Sequence, residues 1–471
     1  MEGLWTTKTE DGRQRELSLL FGFIFVSGLI LFLNLWARSL ENHGYLRYAE
    51  IAREMIRSGD WIVPHYNGEI FVDKPPLLFW LIALPSSIHG TVTPLLARLP
   101  SFFSAWIGTL VIFFWAKRVY GSNLSGLVAA GVLLSSYQFF FEARLARTDM
   151  LLCCLVLLAL YCFYLGYGET GRRRYFLFGL SFLFMGLESL TKGPSVPLLP
   201  FLVIVVFLLK EKRVKMLIGK EFMLGYLIFM LAVLPWPLLF IDRVGLDKAV
   251  SLVKAATILT RKEPVYFYFL QIWVRFAPWS LLLPVMAVDL WRRRGKVLRG
   301  PDSFFLIWFV VFFVVLTLFN YRAARYLLPA LPPLACMVGG MWKRKLSYFL
   351  VPLLLFVTVW HLIDVYWIRQ NVSHSPGQLL AEELRPWVKG ISLSSYQLDP
   401  GIAEGVNFYL DRVMPILKKP REISEYLRGG QGRLVLMSRG VYEKIAQQRI
   451  FAMVISKEFE YKEEKLVLVS D

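Results

Sequence analysis

The chain has 471 residues, of which 56% are hydrophobic, 15% aromatic and 19% charged, with a formal net charge of +18 at pH 7. Soluble domains carry about 25% charged residues, so this composition excludes an ordinary soluble enzyme and points to a polytopic membrane protein. The excess of base implies no nucleic-acid partner where it sits in short loops, because Lys and Arg there set membrane orientation.

The first apolar run, about residues 16–37, is too long for a signal-peptide core and lacks an A-x-A-like exit, so it reads as an uncleaved span. Further spans are expected at 98–116, 124–141, 149–169, 175–191, 195–209, 222–241, 276–291, 303–320, 326–341 and 346–366. The run 77–97, interrupted by Pro85, His89 and Gly90, reads as a short hairpin or a helix at the interface. Basic clusters occur at Lys8/Arg13/Arg15, Lys117/Arg118, Arg172–Arg174, Lys210/Lys212/Arg213/Lys215, Arg292–Arg294 with Lys296/Arg299, and Lys343–Lys345. A cytoplasmic N-terminus puts every one of them inside, provided 77–97 crosses zero times or twice. The expectation is therefore an α-helical integral membrane protein of eleven or thirteen spans with its C-terminus outside.

The same parity gathers 38–76, 142–148, the TKGP turn at 191–194, 242–275 and NYRAAR at 320–325 on the outer side. These segments mix acids with bases at helix ends, which is the layout of a site. Cys153, Cys154, Cys162 and Cys336 lie inside apolar runs and read as small core residues. Residues 367–471 turn polar. GISLSS, RLVLMS and KLVLVS read as strands, and REISEYLRGG and VYEKIAQQ as helical, giving a small α/β domain outside the membrane. The expected organisation is thus a membrane domain over 1–366, with first outer loop 38–76, and a soluble domain over 367–471.

In the first outer loop, RYAEIAREMIRSG has helical character. Tyr48, Ile51, Met55 and Ile56 form an apolar stripe, with Arg47, Glu50, Arg53, Glu54 and Arg57 elsewhere and Gly59 as the stop. It reads as a juxtamembrane amphipathic helix, against the plainer reading of a surface helix with its own ion pairs. In FVDKPP, Asp73 and Lys74 precede two prolines that stiffen the turn. Lys74 either snorkels to the interface or meets a lipid phosphate. Bases and acids recur at the other outer boundaries: Arg147 and Asp149 in ARLARTD, Lys192 in TKGP, Arg261, Lys262 and Glu263, then Arg322 and Arg325. Cations with a few carboxylates around one cavity suit a phosphate-bearing lipid.

These blocks, RYAEIAREMIRSGDWIVPHYNGEIFVDKPPLLFW, ARLARTDMLL, LTKGPSVPLLP and RAARYLLPALPPLA, resemble the GT-C class of membrane glycosyltransferases. Within that class they are most similar to the bacterial aminoarabinose transferase and protein mannosyltransferase-like group, over about residues 15–366. The resemblance implies an enzyme that uses a polyprenyl-phosphate sugar at the extracytoplasmic face. It also implies a bundle of eleven to thirteen helices with juxtamembrane helices in the first outer loop. Arg47 and Tyr48 match the family's RY, Asp73 and Lys74 its acidic-Lys-Pro motif, and Asp149 the acid of its second outer loop. Arg322, Arg325 and Tyr326 match the turn expected to hold lipid phosphate. The family's Asp-Glu ahead of the RY is replaced by Gly44 and Tyr45, which leaves Glu41 or Asp149 as the carboxylate, or an anionic acceptor needing no base.

The expected reaction is displacement at the anomeric carbon with inversion, onto a lipid, glycan or protein acceptor. Glu41, Asp149 and Asp73 are its candidate catalytic groups, and Arg47, Tyr48, Lys74, Arg147, Lys192, Arg322, Arg325 and Tyr326 its donor-binding groups. No cofactor is certain. A divalent metal at Asp73 and Glu263 stays open, although loop 242–275 has no histidine. The expected setting is the bacterial cytoplasmic membrane, with lipid A modification among the roles the resemblance implies. The alternatives are a transporter or flippase of lipid-linked sugars, for which no internal repeat is found, and a catalytically divergent scaffold.

Overall fold

The computed structural model describes residues 10–33, 35–36, 40, 46–256, 263–297, 300, 302–319, 321–341, 359–360, 363, 376–430, 432–447, 453–461 and 464–471. The chain is mostly helical and divides into two compact units. One comprises Met1–Leu35, Val72–Leu78 and Arg98–His361; the other comprises Trp36–Phe71, Phe79–Ala97 and Leu362–Asp471.

The first unit is built of apolar helices. Among the described residues, Pro94–Tyr120, Thr148–Tyr167 and Lys220–Val244 are long and apolar enough to cross a membrane. Phe267–Arg275 and Trp279–Arg292, bent by 113° at their break, make a fourth if taken as one span. Other apolar runs of the sequence form shorter helices: Leu20–Phe32, Asn123–Ser135, Leu198–Lys210 and Asp302–Leu318. The run expected over 124–141 is divided because Ser136 takes an extended conformation, and a short helix, Tyr137–Glu142, follows it. The run at 326–341 begins as a tight 3-10 turn, Ala324–Ala330, before Leu331–Met341. Most of 346–366 lies outside the described residues.

Glycines set the closest helix approaches here. A Cβ on Gly339 would lie 2.5 Å from the Ser125 carbonyl oxygen, so Leu331–Met341 lies against Asn123–Ser135 at backbone contact. A Cβ on Gly225 would lie 2.2 Å from the Phe182 ring, where Lys220–Val233 meets Gly171–Lys192. Gly171–Lys192 also packs along Thr148–Tyr167, which brings together the two helix ends that matter below. The four cysteines are buried and free.

In the second unit, Leu77–His89 is a single helix rather than a hairpin. At about 1.5 Å per residue its 13 residues span about 20 Å, too short for two crossings. The expected helix in the first loop forms at Leu46–Ser58 and stops at Gly59, whose φ of +70° is costless without a Cβ. Its charges do not all face solvent as the stripe suggested: Glu50, Arg53 and Glu54 are buried. The reason is that partners await them. Glu54 accepts hydrogen bonds from the Asn67 and Gly68 amides at 2.6 and 3.1 Å, capping the turn between β1 (His65–Tyr66) and β2 (Glu69–Ile70). Asn67 and Gly68 both have positive φ, as the tight hairpin turn requires.

The tail holds a five-stranded sheet, order β4-β3-β5-β7-β6, from β3 (Ser392–Tyr396), β4 (Ile416–Leu417), β5 (Arg433–Ser438), β6 (Val454–Tyr461) and β7 (Glu464–Ser470). β3 pairs in parallel with β4 and β5, while β7 runs antiparallel to β5 and β6. Strand residues alternate between two cores. Leu434 and Leu436 face the Pro376–Val388 and Pro400–Leu410 helices, and Val435 and Met437 face Pro420–Arg428 and Arg439–Gln447. Burial on both faces is why RLVLMS and KLVLVS read as continuous apolar runs.

Candidate active site

Three helix ends of the first unit converge on one carboxylate. Arg147 is extended and Thr148 begins the next helix, which puts Asp149 in its first turn, where the helix dipole favours negative charge. Gly171–Lys192 ends because Gly193 takes φ +108°, so Lys192 is its last side chain. The Lys192 ammonium donates to Asp149 Oδ1 at 2.5 Å. Arg147 Nε lies 3.5 Å from Oδ2, and Arg325 Nε lies 3.7 Å from Oδ1. Tyr326 underlies both bases: its ring centroid is 5.1 Å from Lys192 Nζ and 5.4 Å from the Arg325 guanidinium.

The group is graded in exposure. The Asp149 side chain is 3% exposed, Lys192 11%, Arg147 18% and Arg325 35%. Arg325 is thus the rim of a cationic recess whose floor is a buried acid. The turn that carries it is held by neutral groups: Gln138 donates to the Ala324 carbonyl at 3.2 Å. The Tyr268 hydroxyl both donates to the Ala323 carbonyl and accepts from its amide, each at 3.2 Å.

A second carboxylate belongs here, and sequence reasoning missed it. Glu142 closes the short helix at the head of the 142–148 connection and is 5% exposed. It feels the charges of Asp149, Arg147, Lys192 and Arg325. Burial and the Asp149 charge push its carboxyl up to about 7 against the pull of the three bases. Its Oε2 has no hydrogen-bond partner among the described residues. The signal in the sequence was a carboxylate at the head of a loop that leads to another, at a membrane boundary.

Other expected site residues do not join this cluster. Arg322 is buried, and its guanidinium donates to the Thr317 and Glu263 carbonyls. Lys74 folds back on its neighbour, donating to the Asp73 carbonyl at 2.8 Å and to its carboxylate at 3.0 Å. In the second unit, Arg47 faces Glu404 at 3.8 Å and lies over the Tyr66 ring at 5.3 Å, while the Tyr66 hydroxyl donates to Glu404. Tyr48 packs against Phe79 with ring centroids 5.8 Å apart. Glu41, Gly44 and Tyr45 lie outside the described residues. Asp73 pairs with the Lys74 ammonium, and among the described residues no three His, Cys, Asp or Glu residues gather into a metal-binding group.

The chain as a whole is similar to known proteins in sequence and in fold. The family model for dolichyl-phosphate-mannose-protein mannosyltransferase matches residues 73–238. The chain resembles the GT-C membrane glycosyltransferases. An uncharacterized protein of Aquifex aeolicus (strain VF5) is 31% identical over 334 residues, which is 69% of this chain and 64% of that protein. The undecaprenyl phosphate-alpha-4-amino-4-deoxy-L-arabinose arabinosyl transferase of Edwardsiella ictaluri (strain 93-146) is 27% identical over 321 residues, 63% of this chain and 54% of that enzyme. The chain therefore spans between 54% and 64% of the length of these two relatives. In fold it is similar to ArnT from Cupriavidus metallidurans, with TM-score 0.77 at 18% identity over 96% of this chain and 98% of that one. The undecaprenyl phosphate complex of that ArnT gives TM-score 0.74. The segment matched by the family model includes Asp73, Lys74, Glu142, Arg147, Asp149 and Lys192.

Proposed function

We propose that the protein is a membrane glycosyltransferase that moves a sugar from a polyprenyl-phosphate donor to a lipid, glycan or protein acceptor, with inversion, at the extracytoplasmic face of the bacterial cytoplasmic membrane. The observation that carries this reading is the Asp149–Lys192–Arg147–Arg325 cluster. Three cations face one another across one buried carboxylate, an arrangement that favours a further anion. An acceptor oxygen attacks the anomeric carbon as the bond from that carbon to the phosphate oxygen breaks. Arg325, Arg147 and Lys192 stabilise the charge that grows on the departing phosphate, and Tyr326 keeps two of those bases in place. Lys74 supplies further positive charge from the end of the first loop.

Sidedness has its own support. The basic cluster Arg172–Arg174 lies at the opposite end of the helix that ends in Lys192. Lys117 and Arg118 end the Pro94–Tyr120 helix, and Lys210 ends Leu198–Lys210. Bases that set orientation thus occupy one set of helix ends and the candidate site another, as expected of a site outside. The tail domain is assigned to the same outer side.

The test is transfer of radiolabelled sugar from a panel of synthetic polyprenyl-phosphate sugars to membrane extract, with wild type beside Asp149→Asn and Lys74→Ala. Transfer by wild type that falls at least tenfold in both variants supports the reading. Polyprenyl phosphate binding without turnover from any donor would sink it and favour a carrier of lipid-linked sugars.

A further inference from the structure

Glu142 is a buried carboxylate for which the family motifs provide no role, set among the groups that would bind the donor. The Tyr137–Glu142 helix packs against the Thr148–Tyr167 helix and the Ala324–Ala330 turn, so three bases, Arg147, Lys192 and Arg325, share one electrostatic cluster with two acids, Asp149 and Glu142. With both acids ionised the cluster carries one net positive charge. A polyprenyl-phosphate sugar is a diester with one negative charge, so the two balance. Transfer releases a phosphate monoester, whose second ionisation falls near pH 6 and which is therefore close to a dianion at neutral pH. One more positive charge is then needed at the cluster.

The two acids are not equivalent. Asp149 is tied to Lys192 at 2.5 Å, with two guanidinium groups close by, and is held as a carboxylate by them. Glu142 Oε2 has no hydrogen-bond partner among the described residues. We propose that Glu142 accepts the proton of an acceptor hydroxyl and keeps it through the transfer, so that the cluster gains a positive charge as the leaving phosphate gains a negative one. The acceptor O–H bond breaks to Glu142. The oxygen bonds to the anomeric carbon, and the phosphate leaves with the electron pair. The proton passes to solvent when the polyprenyl phosphate departs. This rests on the glycosyltransferase reading and deepens it: the acceptor is a hydroxyl rather than a phosphate, which would need no base.

The groups facing Glu142 support a base that titrates near neutrality. Asp149 raises its proton affinity, and Arg147, Lys192 and Arg325 lower it. Gln138, one turn back on the same helix, is neutral and donates to the Ala324 carbonyl. The nearby Arg144 and Arg275 are engaged elsewhere: Arg144 donates to the Leu33 carbonyl at 2.5 Å, and Arg275 to Gln271 at 3.0 Å.

The experiment compares wild type, Glu142→Gln and Glu142→Asp in the full chain, in transfer to a hydroxyl acceptor and in binding of undecaprenyl phosphate. A general base contributes about 10²–10⁴-fold, so Glu142→Gln should lose kcat by about that factor, with KM for the donor little changed. The rise of wild-type kcat with pH through neutrality should vanish in Glu142→Gln. Because the amide leaves the cluster permanently more positive, Glu142→Gln should bind undecaprenyl phosphate as tightly as wild type or tighter. Glu142→Asp should restore part of kcat. Weakened binding in Glu142→Gln would mean a purely structural carboxylate and overturns the proposal, as does kcat within threefold of wild type. A wild type inactive with every donor overturns the glycosyltransferase reading and this proposal with it, whereas an active wild type with an active Glu142→Gln overturns the proposal alone.

Discussion

Glu50 offers a test of how the helix bearing Arg47 and Tyr48 is held. Its carboxyl is fully buried, and burial pushes it up to about 7 despite the Arg53 guanidinium 2.5 Å away. When the Leu46–Ser58 helix opens to water, the same carboxyl returns to about 4.5. Between those values the closed helix binds more protons than the open one, so its stability falls as pH rises. The stabilisation is fully present below about 4.5 and is lost through 7; from pH 4 to pH 8 the loss is about 3 kcal/mol, or about two hundredfold in the opening equilibrium. Hydrogen exchange of the 46–58 amides, expressed as protection factors, reads that equilibrium directly. Wild-type protection should decline by about two orders of magnitude over this window. Glu50→Gln still offers Arg53 an oxygen but cannot ionise, so its protection should be flat with pH. Parallel curves for the two proteins, or wild-type protection that rises with pH, would refute the account.

Other substitutions follow the same reasoning. Arg53→Ala strands the buried Glu50 carboxylate and removes donors to Asp411 and to the Phe408 and Arg412 carbonyls; a cost of about 3–5 kcal/mol should appear as faster proteolysis within 46–71. Lys192→Ala breaks the buried pair with Asp149 at a similar cost of about 3–5 kcal/mol. It should lower the melting temperature and weaken undecaprenyl phosphate binding, while Lys192→Arg should retain part of both. Gly339→Ala forces a methyl against the Ser125 carbonyl, and thermal unfolding should show a loss of about 1–3 kcal/mol with donor KM unchanged.

The apolar runs and the basic clusters were legible in the sequence because they are local: hydrophobicity and loop charge act over a single element, whereas the break at Ser136 within 124–141 was not. The motif blocks nominated Asp149, Lys192, Arg325 and Tyr326 for the same reason, since each stands at the end of an apolar run. Three strands of the tail were legible in GISLSS, RLVLMS and KLVLVS, whereas Ile416–Leu417 and Val454–Tyr461 were not. What local pattern could not supply was which of these groups meet. Lys192 reaches Asp149 across 43 positions, and Arg325 joins from a distant turn, only because Gly193 and the extended Arg147 end their helices side by side. Arg322 stands three residues from Arg325 and reads as its equal. Yet the backbone carbonyls of Thr317 and Glu263 take up its guanidinium. Glu142 drew no notice in the sequence, and packing buried it within reach of the Asp149 charge. Glu50, Arg53 and Glu54 looked like a solvated helix face, and tertiary structure buried them by bringing partners from residues 67–68 and 408–412. Burial and long-range pairing decide the charge state and freedom of an ionisable group, and both are properties of the folded chain rather than of its local sequence.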